Sequence, residues 1–303
     1  MIAAVIDVGT NTIKMATAEK TTDDVRVISH TSITARIGQG VDAEGLISPE
    51  AAARAVDAIS KLVKLAREDG VDAIRIVGTS ALRDAANGDD IARMVREEVG
   101  VELEILSEED ESRFSYLAVT RDPVLGNCEE KTLVFDIGGG STEFTFGRGE
   151  SIICGTSVKI GAVRLTERFI KSDPPSREEI AAASSCAQDM LTPVLSGLEQ
   201  VRLIGVGGSV INMARVNTGC DVERTEDILG SLMTRSDVTR ITTMLCALPL
   251  NERKQLPGID PDRADIIPTG AIIVDTIMSI TNAPELYVSI RGLRHGLLWE
   301  MLG

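Results

Sequence analysis

The chain is short of the side chains on which several common chemistries depend. Of 303 residues only two are histidine, His30 and His295. A Ser-His-Asp triad or a histidine-rich metal centre therefore has almost no material, and acid–base work falls to carboxylates. Aromatic residues make up 3% of the chain, with a single Trp, and the formal net charge is −15. A general nucleic-acid binder needs a basic surface and rings for stacking, and both are missing. The five cysteines, Cys128, Cys154, Cys186, Cys220 and Cys246, are odd in number, scattered and without a CxxC pair. That pattern predicts reduced, buried thiols rather than a disulfide framework or a zinc site. No stretch approaches the roughly 20 uninterrupted apolar residues of a membrane span. The apolar start, Met1 to Ile6, has no basic lead and meets Asp7 too early for a secretory signal. A cytoplasmic protein, with neither membrane nor nucleic acid as partner, is expected. Neither a GxxxxGK[ST] loop nor GxGxxG spacing occurs.

What is present is the composition of a soluble globular protein, 43% hydrophobic and 25% charged, long enough for two domains and a sizeable core. Its organising stretch is Phe135-Asp136-Ile137-Gly138-Gly139-Gly140-Ser141-Thr142-Glu143, which follows the apolar run Leu133, Val134, Phe135. Such a run bounded by glycines reads as a buried strand delivering a tight turn. Three glycines, through their tolerance of positive φ, turn successive amides toward one point and make a nest for an anion, most simply phosphate. Asp136 at the tip of that strand would repel phosphate unless a cation lies between them, which implies Mg²⁺. Val5-Ile6-Asp7-Val8-Gly9-Thr10-Asn11-Thr12 repeats the pattern, with alternating apolar residues Ile13, Met15 and Ala16 behind it. Two strand–Asp–Gly–hydroxyl turns far apart in sequence predict a duplicated fold whose aspartates share one metal-bound phosphate across a cleft.

Along the chain, Ala35-Arg36-Ile37-Gly38-Gln39-Gly40 reads as a loop carrying one oxyanion-clamp candidate, Arg36. Ser48-Pro49-Glu50 opens a helix whose apolar period runs through Ala52, Val56, Ile59, Val63 and Ala66 to Gly70. The strand Ile74–Val77 leads into Gly78-Thr79-Ser80-Ala81-Leu82-Arg83-Asp84, where open α/β sheets place ligands, so Arg83 is the preferred phosphate clamp. A helix with Ile91, Met94 and Val95 inward and a strand from Val101 to Leu106 follow. Ser107 then caps a helix whose acids Glu108, Glu109, Asp110 and Glu111 suit its dipole. At 100° per residue, Phe114, Leu117 and Ala118 mark the buried face, with Asp110 and Glu111 nearest to it; periodicity leaves both as candidates to accept a proton from water. Asp122-Pro123 and Gly126-Asn127 mark the junction between halves. In the second half, Ser176 and Glu179 form a capping box for a long helix containing Pro193. The strand Leu203–Val206 runs into Gly207-Gly208-Ser209, a further phosphate or nucleotide turn. Arg291 and Arg294 frame a late cluster offering either cleft arginines or a solvated turn, and His295 reads as structural.

The set as a whole resembles the exopolyphosphatase and guanosine pentaphosphate phosphatase (Ppx/GppA) family. The stretches that carry the resemblance are Asp7-Val-Gly-Thr-Asn-Thr12, Gly78-Thr-Ser-Ala-Leu-Arg83-Asp84, Glu109-Asp-Glu111-Ser-Arg113, Asp136-Ile-Gly-Gly-Gly-Ser-Thr-Glu143, Gly207-Gly-Ser209 and Arg291-Gly-Leu-Arg294-His-Gly296. The resemblance implies an α/β protein with the duplicated actin-like, sugar-kinase-like ATPase fold, related to ribonuclease H. In its short form the domains are 1–124 and 125–303, the last helix being a candidate to pack back on the first domain. It implies Mg²⁺-dependent hydrolysis of a phosphoanhydride, with Glu111 activating water and Asp7, Asp136 and Glu143 as metal ligands. Phosphate then falls to Gly9, Thr10, Asn11, Thr12, Arg36, Arg83, Gly138, Gly139, Gly140, Ser141, Gly207, Gly208 and Ser209. Inorganic polyphosphate is the expected substrate and a homodimer the expected assembly. The alternatives are guanosine pentaphosphate (pppGpp) as substrate, a small-molecule kinase, or a non-enzymatic polyphosphate-binding or actin-like assembly module.

Overall fold

The computed structural model describes residues 1–22, 25–126, 130–198 and 200–303; Asn127 of the expected junction and Cys128 lie outside them. Two packing units make up the chain, one of Met1–Ala118 with Leu293–Gly303 and one of Val119–Gly292. The first begins with strands β1 (Ile2–Val8), β2 (Thr12–Lys20) and β3 (Val25–Thr34), then helices α1 (Val41–Glu44) and α2 (Pro49–Glu68). It continues through β4 (Ala73–Gly78), α3 (Ser80–Asp84), α4 (Gly88–Val99), β5 (Leu103–Ile105) and α5 (Glu108–Thr120). The second unit has β6 (Lys131–Ile137), β7 (Thr142–Arg148), β8 (Ser151–Val158), α6 (Ala162–Phe169) and α7 (Arg177–Leu195). After these come β9 (Arg202–Val206), α8 (Gly208–Thr218), β10 (Leu232–Thr234), α9 (Arg235–Ala247), α10 (Leu250–Arg253), α11 (Ile267–Ile280) and β11 (Glu285–Val288). The chain ends in α12 (Leu293–Leu302), which belongs to the first unit.

The duplication is visible in the sheets. The first has the order β3-β2-β1-β4-β5 and the second β8-β7-β6-β9-β11-β10, which matches the first strand for strand as far as β11. In each, three antiparallel strands are followed by two that run parallel to the central one. This is the duplicated actin-like α/β class. Strand β10 is an addition, antiparallel at the far edge of the second sheet. The central strands β1 and β6 are apolar on both faces, Ala3 to Ile6 and Leu133 to Phe135 being buried, which suits strands covered by helices on either side.

Helix caps follow the sequence closely. The Ser48 hydroxyl accepts from the Ala51 amide at 3.2 Å, and α2 buries Ala51, Ala52, Ala55, Ala58, Ile59, Leu62, Val63 and Ala66. Ser176 and Glu179 cap α7 reciprocally. Three expectations need correction. Met94 of α4 is exposed, because α4 packs through Ile91, Val95 and Val99 and turns Met94 away. The strand expected from Val101 to Leu106 shrinks to Leu103–Ile105, pairing only with β4. Among the four described cysteines, all unpaired, only Cys246 is buried; Cys154 is exposed because it lies on β8, whose first six residues face solvent at the sheet edge. Among the described residues no helix is long and apolar enough to cross a membrane.

The linear division at residue 124 differs from the packing units at their end as well as at the junction. Helix α12 inserts Leu293, Leu297, Leu298 and Leu302 among Ala3, Val5, Ala16, Ala18, Val77 and Phe114. His295 is buried there, its ring 5.4 Å from that of His30 on β3. Gly296 is required by this seat, since a Cβ there would overlap the Phe114 carbonyl oxygen of α5. Gly296→Ala is therefore expected to destabilise the protein by about 1–3 kcal/mol, the cost typical of overpacking. Equilibrium urea unfolding measures it, and an unchanged midpoint would show that α12 is not seated on α5.

Candidate active site

In the first unit Asp7 is the penultimate residue of β1 and lies opposite Lys14 of β2 in the ladder. Its Oδ1 is buried without a hydrogen-bond partner. Burial pushes its pKa above the ordinary 3.8, opposed by the positive charges of Lys14 and of Arg294 on α12. The turn after it buries Thr10, Asn11 and Thr12, with Asn11 Nδ2 donating to Thr12 Oγ1 at 3.3 Å. The Arg36 loop is laid against this turn by its backbone: Arg36 N donates to Asn11 O at 2.8 Å and Gly38 N to Thr10 O at 2.9 Å. The Arg36 side chain is exposed, on a residue held at φ 48°.

Arg83, in the last turn of α3, points back to the ends of β5 and α5. Its Nη1 donates to Leu106 O at 3.0 Å and to Glu111 Oε2 at 2.9 Å, and Glu108 Oε1 lies 3.9 Å from its Nε. The two acids that periodicity leaves open separate here. Asp110 serves the cap, its amide donating to Ser107 Oγ at 3.0 Å and its carboxylate accepting from that hydroxyl at 2.9 Å. Glu111 is buried at 9% exposure.

In the second unit Asp136 is the penultimate residue of β6, opposite Glu143 of β7 and Val206 of β9. The turn beyond it is built differently from expectation. Neither Gly9 nor Gly138 adopts a left-handed φ; each is small because a Cβ would press on a carbonyl, Thr12 O or Ser141 O, at 3.1 Å. The Gly138 amide, expected to donate to phosphate, instead closes the hairpin on Ser141 O at 3.0 Å. The Gly138 and Gly139 carbonyls accept from the amides of Ala162, Val163 and Arg164 at the start of α6, and Gly140 O accepts from Arg164 Nε at 2.8 Å. In a trans peptide the next N–H points opposite to the carbonyl, so the amides of Gly139, Gly140 and Ser141 are directed away from α6.

Glu143 is 3% exposed, and its Oε1 accepts from Ser141 Oγ at 2.6 Å and from Ser157 Oγ at 2.9 Å. Gly207, at φ 97°, is the left-handed glycine of this unit that matters most: a Cβ there would lie 2.5 Å from Ile137 O and 2.9 Å from Asp136 Oδ1. Gly208 makes room for the Arg263 guanidinium, and Gly292 approaches Asp136 Oδ2, a Cβ there being 3.4 Å away. Ser209 is buried against Gly270 of α11.

Several contributors carry no sequence signal. Arg263 is buried, which pushes its pKa below the ordinary guanidinium value against the pull of Asp260, Asp265 and Asp136. It lies in Pro261-Asp262-Arg263, a short turn without periodicity or a glycine pattern. Lys14 and Ser157 are ordinary strand residues whose relevance comes only from register with Asp7 and Glu143. Arg291 ties to Glu226 Oε2 at 2.9 Å and to buried Asp122 at 3.6 Å, a structural role. Arg294 donates to Met15 O at 3.3 Å.

Comparison with known proteins gives the family. Residues 16–303 match the model of the Ppx/GppA phosphatase family. The chain is 31% identical over 286 residues to exopolyphosphatase 2 of Mycobacterium tuberculosis, covering 90% of this chain and 89% of that one. It is 26% identical over 302 residues to the guanosine-5'-triphosphate,3'-diphosphate pyrophosphatase of Photobacterium profundum, covering 99% of this chain and 59% of that longer protein. The crystal structure of an exopolyphosphatase from Cytophaga hutchinsonii superimposes with a TM-score of 0.90 at 25% identity, over 100% of this chain and 98% of the other. The chain thus belongs to the Ppx/GppA phosphatase family.

Proposed function

We propose that this protein is an exopolyphosphatase, hydrolysing the terminal phosphoanhydride of inorganic polyphosphate and releasing orthophosphate. The observation that carries the reading is the repeated placement of Asp7 and Asp136, each penultimate in the central strand of its sheet and followed by a small-residue turn. A cytoplasmic homodimer is proposed with it, on family resemblance alone.

The residues fit Mg²⁺. Asp7 Oδ1 is a buried oxygen with no protein donor, and carboxylate oxygens suit a hard cation. Among the described residues no three acids, histidines or cysteines gather into a ready-made cage. Mg²⁺ takes one or two carboxylates and completes its shell with water and phosphate. Asp7 and Asp136 would hold it, with Glu143 in support. Bound there, the ion supplies charge neutralisation on the transferred phosphoryl group.

The remaining work belongs to the chain. Glu111 takes a proton from the attacking water. Amides of Gly139 and Gly140, the hydroxyls of Thr10, Thr12 and Ser141, and the exposed Arg36 hold phosphate oxygens, while Gly207 to Ser209 accommodate the next phosphates. Phosphoryl transfer depends chiefly on positioning and charge stabilisation, so fixed donors of this kind supply most of what the reaction needs. Guanosine pentaphosphate is the second reading, favoured by the Photobacterium relative.

A time course of orthophosphate release from long polyphosphate, short polyphosphate, ATP and guanosine pentaphosphate, with and without Mg²⁺, tests the assignment. Fastest release from long polyphosphate with Mg²⁺ is expected, and preference for the nucleotide would select the second reading. Glu111→Gln is expected to lower turnover by about 10²–10⁴-fold while keeping polyphosphate affinity; unchanged turnover would remove Glu111 from the mechanism.

Asp7 gives a stability prediction. Because folding raises its pKa, the folded state holds that proton more tightly than the unfolded chain. Its contribution is intact below the ordinary value of 3.8 and is lost as pH rises through the raised one. In EDTA at pH 7, Asp7→Asn should therefore be more stable than wild type by about 1–3 kcal/mol, the cost of an unsatisfied buried group. Thermal melts at pH 4 and 7 measure it, and a lower melting temperature for the variant at pH 7 would contradict it.

A further inference from the structure

We infer that Arg83 is a positioning residue for Glu111 and not a clamp on phosphate, an assignment that rests on reading Glu111 as the group that takes a proton from water. One nitrogen of Arg83, Nη1, makes two hydrogen bonds, to Glu111 Oε2 at 2.9 Å and to Leu106 O at 3.0 Å. Leu106 is itself fixed, its amide donating to Gly78 O at 2.9 Å at the end of β4. The guanidinium is thus fastened to the strand-end backbone on one side and to the carboxylate on the other. Its Nε is buried, out of reach of a ligand.

Charge points the same way. The Arg83 and Glu111 side chains are 18% and 12% exposed, so solvent screens their attraction far less than that of a surface pair. A second carboxylate, Glu108, lies 3.9 Å from Nε. The single positive charge of Arg83 already faces two negative charges of its own unit. A phosphate would have to compete with these two carboxylates for that charge.

Holding Oε2 fixes the rotation of the Glu111 carboxylate about its last bond. A general base must lie within hydrogen-bond reach of the proton it takes, and a carboxylate free to rotate spends little time there. In the step served, a proton passes from water to Glu111. The water oxygen bonds to the terminal phosphorus, and the anhydride bond to the shortened chain breaks.

A double-mutant cycle distinguishes positioning from clamping, because residues acting as a unit give non-additive losses. Arg83→Met is expected to lower kcat about tenfold or more while KM stays within about twofold, and Arg83→Lys to recover part of kcat. In the Glu111→Gln background, adding Arg83→Met should slow turnover by less than about twofold and leave the Kd for polyphosphate, measured by calorimetry, within about twofold. Additive losses, or a rise of about tenfold in KM or Kd, would overturn the positioning role. Circular dichroism checks folding. If Arg83→Met alone misfolds on its unpaired glutamate, the double variant, which leaves no such charge, and Arg83→Lys decide the question. Failure of wild type to release phosphate from any of the four substrates would overturn the hydrolase reading and this role together. Turnover in wild type with an additive cycle would overturn this role alone.

Discussion

The structure turns on one awkward requirement, a carboxylate near the end of a strand that is apolar on both faces. Asp7 on β1 and Asp136 on β6 are each set one residue from the strand end, beside backbone that must come close. A buried carboxylate is costly unless charge or hydrogen bonds compensate it. Around Asp7 the compensation is partial: Lys14 and Arg294 lower its pKa, yet burial still dominates and Oδ1 keeps no donor. Around Asp136 it is spatial as well, with Gly207 and Gly292 leaving room beside the carboxylate and the charge of Arg263 acting on it. At Asp7 the fold carries a buried oxygen that its own side chains leave without a donor, a cost to stability.

The same logic reconciles an acidic protein with a polyanionic substrate. A net charge of −15 keeps the surface soluble and repels polyphosphate at long range. Attraction to a polyanion must then be local and short-ranged, of the kind that directed amides, hydroxyls and single arginines give. The Gly139 and Gly140 amides are directed away from α6 because α6 draws the turn's carbonyls to its own N-terminus. The amide directions are a by-product of helix packing, so the α6 start and Gly161 matter as much as the glycine run: a Cβ on Gly161 would overlap Gly139.

Much of this was legible in the residues. Apolar runs located β1, β4, β6 and β9, while Ser-Pro-Glu and Ser-x-x-Glu patterns located the starts of α2 and α7. The repeated Asp-Gly turns announced the duplication before the sheets displayed it. Strands β3 and β8 were not legible, since edge strands half or wholly in solvent need no apolar alternation. Pairing was not legible either. The place of Arg83 after a strand made it a phosphate-clamp candidate, but its engagement with Glu111 was hidden because it depends on where α5 begins relative to β5. Arg263, Lys14 and Ser157 became visible only through tertiary neighbours and strand register. Glycine was read correctly as a requirement and wrongly as to cause: at Gly138 the need is space beside Ser141 O, while positive φ is used at Gly207.

The two repeats also differ in a way that bears on chemistry. Cross-strand from Asp7 stands a cation, Lys14; cross-strand from Asp136 stands an acid, Glu143. Like charges directly opposite destabilise a ladder, and Ser141 and Ser157 answer this by donating to Glu143 Oε1. The first unit adds the Arg83–Glu111 pair. The second, with its glycine turns, has a smaller side-chain inventory and more backbone to offer. Duplication gave each half the same strand-end carboxylate, and divergence of its neighbours set a cation across from one and a hydrogen-bonded acid across from the other.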